Sequence, residues 1–196
     1  MAEQAEFKLL DTPALPQGFR YQADVISVEQ EQDLARQIHT LPFQAFQFRG
    51  FEGKRRVVSY GWRYDFNQQK LQEADPLPPF LLPIRAVAGE FAGLAPEQLE
   101  QVSVIEYSPG SAIGWHKDRP MFGDVVGLSL LSTTRFRFRR KSGKRWERAA
   151  LIVEPRSSYL LRGPARDEWE HSIPPVETLR YSITMRTFRS TLDPQN

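Results

Sequence analysis

The sequence predicts an α+β fold: an antiparallel sandwich or barrel with helices packed outside it. Three observations carry this. Two stretches before residue 100 have helical signatures, and beyond Glu100 the chain breaks into short apolar or alternating runs parted by turn residues. The third is composition: a hydrophobic fraction of 40%, with thirteen Phe and four Trp among 196 residues, supplies a core. No linker, internal repeat or low-complexity tract divides the chain, so residues 1–196 are expected to form one domain.

The elements follow in order. Residues 1–20, MAEQAEFKLLDTPALPQGFR, read as an irregular N-terminal extension; without a basic start and an apolar run they do not read as a signal peptide. Ser27 with Gln30 three residues on is a capping-box signature ahead of VEQEQDLARQIHTL, where Val28, Leu34, Ile38 and Leu41 approximate a helical stripe. His39, inside that pattern, is expected to be half-buried packing. LPPFLLPIRAVAGEFAGL predicts a second helix starting near Pro83, since proline is tolerated in a first turn. The strand-like runs are VSVIEY, DVVGLSLLS, TRFRFRR, RAALIVE, YLLR and RYSITMRTF, with SPGS, KSGK and PRSS as turns among them.

Composition narrows the chemistry. With no cysteine, disulfides, thiolate nucleophiles and zinc-finger ligation are excluded, and a metal must be held by His, carboxylate or water. The formal charge of +2 divides unevenly: residues 1–100 carry 10 Lys/Arg and 14 Asp/Glu (−4), residues 101–196 carry 16 and 10 (+6). That tilt permits an anionic partner. No apolar stretch approaches the ~18 residues of a membrane span, so a soluble, cytoplasmic monomer is expected.

GWHKDRP holds one of only three histidines. Strand side chains alternate faces, so His116 and Asp118 point the same way if that segment is extended. An H-x-D pair supplies two of the three ligands of the facial triad in non-haem iron oxygenases. The third must be a distant histidine, and His171, 55 residues on in WEHSIP, is the better candidate than His39. Alone the pair is a weak signal, because most such pairs are solvated loop residues. RYSITMR strengthens it. Arg180, Ser182, Thr184 and Arg186 share one parity, and Tyr181, Ile183 and Met185 take the other. The polar side is either an ordinary solvent-facing strand face or the wall of a cavity whose arginines need anionic partners. A dicarboxylate would satisfy both guanidiniums through their forked geometry.

His116-Lys117-Asp118, His171 and the run from Arg180 to Arg186 resemble the H-x-D, distal H and R-x5-R motif of the AlkB family of dioxygenases. EYSPGSAIGWHKD and VVGLSLLS are similar to the family's segments around the iron ligands, and YGWRYDF at 60–66 to its aromatic substrate-side loop. The resemblance covers residues from about 40 to 189 and implies a double-stranded β-helix (jelly-roll) core with flanking N-terminal helices. It further implies Fe(II) held by His116, Asp118 and His171, with 2-oxoglutarate and O2 as cosubstrates. Arg180 would meet the distal carboxylate of 2-oxoglutarate and Arg186 the end nearer iron, with Tyr107 and Ser182 in the same pocket. Ile105 and Ser182 stand where asparagine is common, so fewer polar cosubstrate contacts are expected. The implied reaction is oxidative demethylation of N-alkylated bases, as in DNA repair, releasing formaldehyde, succinate and CO2.

Two further features bear on substrate. RFRFRRKSGKRWER at 135–148 holds eight Lys/Arg against one acid, with Arg135, Arg137 and Arg139 on one face and Phe136 and Phe138 on the other. It is either a hairpin with a solvated basic face or a phosphate-tracking ridge. Arg49, Lys54, Arg55 and Arg56 precede YGWRYDF, and basic residues interleaved with aromatics suit a single-stranded or flipped base, with Trp62 or Tyr64 stacking on it. Trp62, Tyr64 and Phe66 also alternate like a strand face. Nucleic acid is therefore the expected partner. The alternatives are the same oxygenase chemistry on a methylated protein side chain or small molecule, and a non-catalytic jelly-roll binding module.

Overall fold

The computed structural model describes residues 14–48, 51–65 and 68–189. Arg49 and Phe66 lie outside the described residues, as do residues 1–13.

A strand β1 (Phe19–Gln22) precedes helix α1 (Val28–His39), followed by β2 (Gln44–Phe48), β3 (Phe51–Tyr60), β4 (Trp62–Asp65) and β5 (Lys70–Glu73). Helix α2 (Leu82–Ala92) leads into β6 (Gln101–Tyr107), β7 (Ile113–His116), β8 (Phe122–Leu130), β9 (Thr134–Ser142), β10 (Arg145–Val153) and β11 (Ser157–Leu161). The short α3 (Pro164–Asp167), β12 (Glu170–Ile173) and β13 (Arg180–Phe188) complete the order.

Both predicted helices form where their end signals lie. Ser27 and Gln30 close the capping box: the Gln30 amide donates to Ser27 Oγ at 3.2 Å, and the Ser27 amide donates to Gln30 Oε1 at 2.8 Å. The buried face of α1 is Glu31, Leu34 and Ile38. Val28, read into the stripe, is 46% exposed, and Glu31 replaces it because its carboxylate accepts the Leu131 amide at 2.8 Å. Helix α2 begins with Pro83 in its first turn and stops at Gly93, whose φ of 67° is the left-handed conformation that ends helices cheaply.

The strands build a seven-stranded sheet, β1-β11-β8-β13-β6-β3-β2, and a four-stranded sheet, β10-β9-β12-β7, with every pairing antiparallel. Strands β4 and β5 form a separate hairpin. This is the jelly-roll with helices at one side. Alternation along the large sheet makes two cores. Tyr181, Ile183 and Met185 join Val126, Leu128, Leu130 and the residues of α1 and α2 on the outside. Val125, Tyr107 and Tyr159 join Phe136, Phe138 and Ile173 between the sheets.

Three expectations are corrected. Residues 19–20 are not irregular: β1 pairs with β11, Phe19 opposite Leu161. Strands do not wait for residue 100: β2 and β3 extend the large sheet, and YGWRYDF contributes the end of β3 and the whole of β4 rather than a loop. His39 is exposed rather than half-buried, because it falls on the outer side of α1 next to the buried Ile38.

Candidate metal and cosubstrate site

The register of the small sheet makes the site. Strands β7 and β12 pair so that His116 and His171 stand directly opposite each other, and their rings approach to 4.3 Å between centroids. Asp118 follows two residues after the end of β7, and its Oδ2 lies 3.5 Å from His171 Nε2. One ligand atom from each of the three residues falls within 4.8 Å of the others, the only such group among the described residues. His116 Nδ1 is 2.8 Å from the Gly114 carbonyl, a contact that places its proton on Nδ1 and leaves the Nε2 lone pair for a metal. Phe136 stacks on His171 at 5.4 Å and an interplanar angle of 13°, fixing that ring.

Electrostatics hold the three side chains in their ligand forms. Burial, then neighbouring His116, pushes the His171 imidazole down to about 3. Burial also lowers His116 against the opposing pull of Asp118. Burial alone would raise the Asp118 carboxyl, but Arg186, then His171 and His116, hold it well below the carboxylate range. Two neutral imidazoles beside one carboxylate, with no thiolate, suit a divalent iron with open coordination positions. One consequence concerns the metal-free protein. The unfolded chain binds protons at these histidines near 6.5 while the fold refuses them, so stability is intact above about pH 6.5 and falls toward pH 3. Thermal melts of chelator-treated wild type should show this slope, and His171→Phe should flatten it.

The polar parity of β13 lines the space between the sheets. Arg180, Ser182 and Thr184 are 0%, 2% and 6% exposed, so the solvent-facing alternative is excluded. Arg180 sits in register with Tyr107, its guanidinium 5.1 Å from the Tyr107 ring, and its Nε donates to Ser129 Oγ at 3.1 Å. Its Nη1 and Nη2 are buried with no hydrogen-bond partner among the described residues. Two parallel donors with nothing to receive them are the complement of a carboxylate. Arg186 instead donates from Nε to Asp118 Oδ1 at 2.7 Å and from Nη1 to Gln101 Oε1 at 2.6 Å.

Three residues of this neighbourhood were missed in the sequence. Gln101 tethers Arg186. Tyr159 is buried beside Ser182 and stays protonated because burial raises its pKa. Its ring fits only because Gly127 faces it, since a Cβ there would lie 2.1 Å from a ring carbon. Arg166, 5% exposed, donates to the Gly123, Arg119 and Phe122 carbonyls and so braces the loop after Asp118.

A cleft of about 1830 Å³ opens onto His116 and Asp118. Arg55 and Tyr64 line it, as do Arg63, Lys117, Arg119 and Arg189. Trp62, half-buried, packs edge-on against Phe188 at 5.8 Å. Arg137 and Arg139 stand outside the cleft on the outer face of the small sheet, their guanidiniums 5.1 and 4.6 Å from the Trp115 ring at its rim. The ridge is less free than its composition implies. Arg139 pairs with Glu170, and Arg140 with Glu147 and Glu168.

A jelly-roll with two histidines and one carboxylate at its open end, and an orphaned guanidinium deeper in, defines an iron- and 2-oxoglutarate-dependent dioxygenase. The chain belongs to the 2OG-Fe(II) oxygenase superfamily, whose family model matches residues 18–189, and within it is AlkB-like. This family uses Fe(II), 2-oxoglutarate and O2, and residues 18–189 carry its dioxygenase domain. Relatives include the "Alkylated DNA repair protein ALKBH8 homolog" of Arabidopsis thaliana, 30% identical over 92% of this chain and 58% of its own length. The "tRNA (carboxymethyluridine(34)-5-O)-methyltransferase ALKBH8" of Mus musculus is 27% identical over 88% of this chain. The chain thus spans a little over half of the first relative and 26% of the second. The structure of OsALKBH1 superposes with a TM-score of 0.68 over 89% of this chain and 98% of that one, at 14% identity, which shows the shared fold.

Proposed function

We propose that the protein removes methyl groups from N-alkylated bases in nucleic acid, converting N–CH3, 2-oxoglutarate and O2 to N–H, formaldehyde, succinate and CO2. In this reading His116, Asp118 and His171 hold Fe(II). Arg180 receives the distal carboxylate of 2-oxoglutarate, with Tyr107 and Ser182 beside it, and Arg186 orients Asp118 while facing the end nearer the metal. Bound iron and cosubstrate supply the oxidising power. The protein supplies neutral imidazole lone pairs, a fixed carboxylate and a dry pocket between the sheets.

The observation that carries the substrate is the cleft beside the triad. It is large enough for a base lifted from its stack, it offers Tyr64 as an aromatic wall, and Arg63, Lys117, Arg119 and Arg189 line it as phosphate contacts. The relatives' names, one a DNA repair protein and others acting on a tRNA uridine, support nucleic acid and favour RNA as the first target. A panel of singly methylated RNA and DNA oligonucleotides, methylated-lysine peptides and free nucleosides, assayed for formaldehyde, tests this. Release should come from an oligonucleotide and fall steeply as salt rises. Release from a peptide or nucleoside alone would reject it. Reversing the charge of Arg145 and Arg148, on the exposed part of the ridge, should weaken oligonucleotide binding about tenfold and leave uncoupled 2-oxoglutarate turnover unchanged.

A further inference from the structure

The cosubstrate reading accounts for two guanidiniums, Arg180 and Arg186, matching the two carboxylates of 2-oxoglutarate. A third is left over. Arg55 is only 9% exposed, lines the cleft, and its Nε has no hydrogen-bond partner among the described residues. Strand alternation explains how it got there. Its neighbour Arg56 points to the other face of β3 and is satisfied by both Glu106 oxygens at 2.8 Å. Arg55 turns inward, and its guanidinium lies 3.8 Å from the centre of the Phe46 ring, which fixes the plane of the fork. It stands close enough to act electrostatically on Tyr107, Arg186 and His116, at the metal side of the cleft. Burial, opposed in part by Tyr107, lowers its pKa, as for a cation drawn away from water.

We propose that Arg55 reads the reacting base, donating to keto oxygens that flank the methylated nitrogen and thereby selecting neutral lesions over cationic ones. This rests on the nucleic-acid reading above. An arginine has donors only. In 3-methyluracil the methylated nitrogen sits between two keto oxygens, and in 1-methylguanine it adjoins one; both bases are uncharged. 1-Methyladenine has no keto oxygen beside its methylated nitrogen, and 3-methylcytosine keeps one, as 1-methylguanine does. Both 1-methyladenine and 3-methylcytosine are cationic at neutral pH, so charge is what sets 3-methylcytosine apart. A buried guanidinium therefore attracts the first pair and repels the second. Cations also outnumber acids among the cleft residues near the metal, where Arg166 and Arg186 join Arg55.

The test uses the whole chain loaded with Mn(II) and 2-oxoglutarate, a pair that does not turn over, titrated with fluorescent RNA oligonucleotides carrying one modified base each. Wild type should bind the 3-methyluridine and 1-methylguanosine strands at least tenfold more tightly than the 1-methyladenosine and 3-methylcytidine strands. Arg55→Gln should erase that difference while calorimetry shows unchanged 2-oxoglutarate affinity, which also reports an intact fold. Arg55→Lys, the milder change, should keep the rejection of cationic bases and lose the gain on keto bases. The assignment is overturned if wild type prefers the cationic strands, or if Arg55→Gln weakens 2-oxoglutarate and leaves base preference intact. Absence of binding to every strand, together with formaldehyde from a peptide, would reject the nucleic-acid reading itself and this assignment with it.

Discussion

Asp118→Ala is expected to abolish divalent-metal binding and turnover together. The residue supplies the only carboxylate of the three-ligand group, and its two oxygens are already divided between Arg186 at 2.7 Å and the His171 side at 3.5 Å. Removing it takes away the anion that balances the metal and leaves the half-buried Arg186 beside two imidazoles with one partner fewer. The loss should exceed the ~10–100-fold typical of removing an outer partner of a metal ligand. His116→Ala should behave alike, because its Nδ1 is committed to Gly114 and its Nε2 has no substitute. Mn(II) titration followed by electron paramagnetic resonance checks both. Retention of wild-type metal affinity in either variant would remove that residue from the ligand set.

The second large effect belongs to Arg180→Ala. Metal binding should survive, since Arg180 touches none of the three ligands, its side chain meeting Ser129 and the Tyr107 ring instead. Affinity for 2-oxoglutarate should collapse. A buried carboxylate losing its charged partner costs roughly 2–5 kcal/mol, on the order of 30-fold to several thousand-fold in Kd. Removal of the side chain also takes two unsatisfied buried donors out of the fold, so the unliganded variant should melt no lower than wild type despite its cavity. Calorimetry on Mn-loaded protein reads the affinity and a thermal melt reads the stability. Equal 2-oxoglutarate affinity in the two proteins would contradict the assignment.

How much of this was legible depended on whether the signal was local. The parity of β13 is a local property, so the polar row from Arg180 to Arg186 and the apolar row through Ile183 could be read before the fold was known. The triad was legible because its donors are scarce: with three histidines and no cysteine, few sets are available. What could not be read was pairing. Whether His171 faces His116 depends on the register of β12 against β7, set by contacts 55 residues apart. Strand β3 was hidden because its consecutive Lys54, Arg55 and Arg56 mask alternation, and only the partners reveal that Arg56 meets Glu106 while Arg55 is buried. Strand β1 is four residues long and is held by its register with β11, which leaves almost no periodic trace. Trp62 is ambiguous for the opposite reason: an aromatic flanked by cations reads as a stacking surface, and its edge also packs against Phe188.

The most direct measurement is a crystal structure of the protein with Mn(II) and 2-oxoglutarate, with the ion located by its anomalous scattering. The ion is expected on His116, Asp118 and His171, with the distal carboxylate of 2-oxoglutarate on the two free nitrogens of Arg180 and the Arg55 guanidinium left facing the open cleft. An ion held elsewhere, or a cosubstrate whose distal carboxylate rests on Arg55 instead of Arg180, would contradict the account.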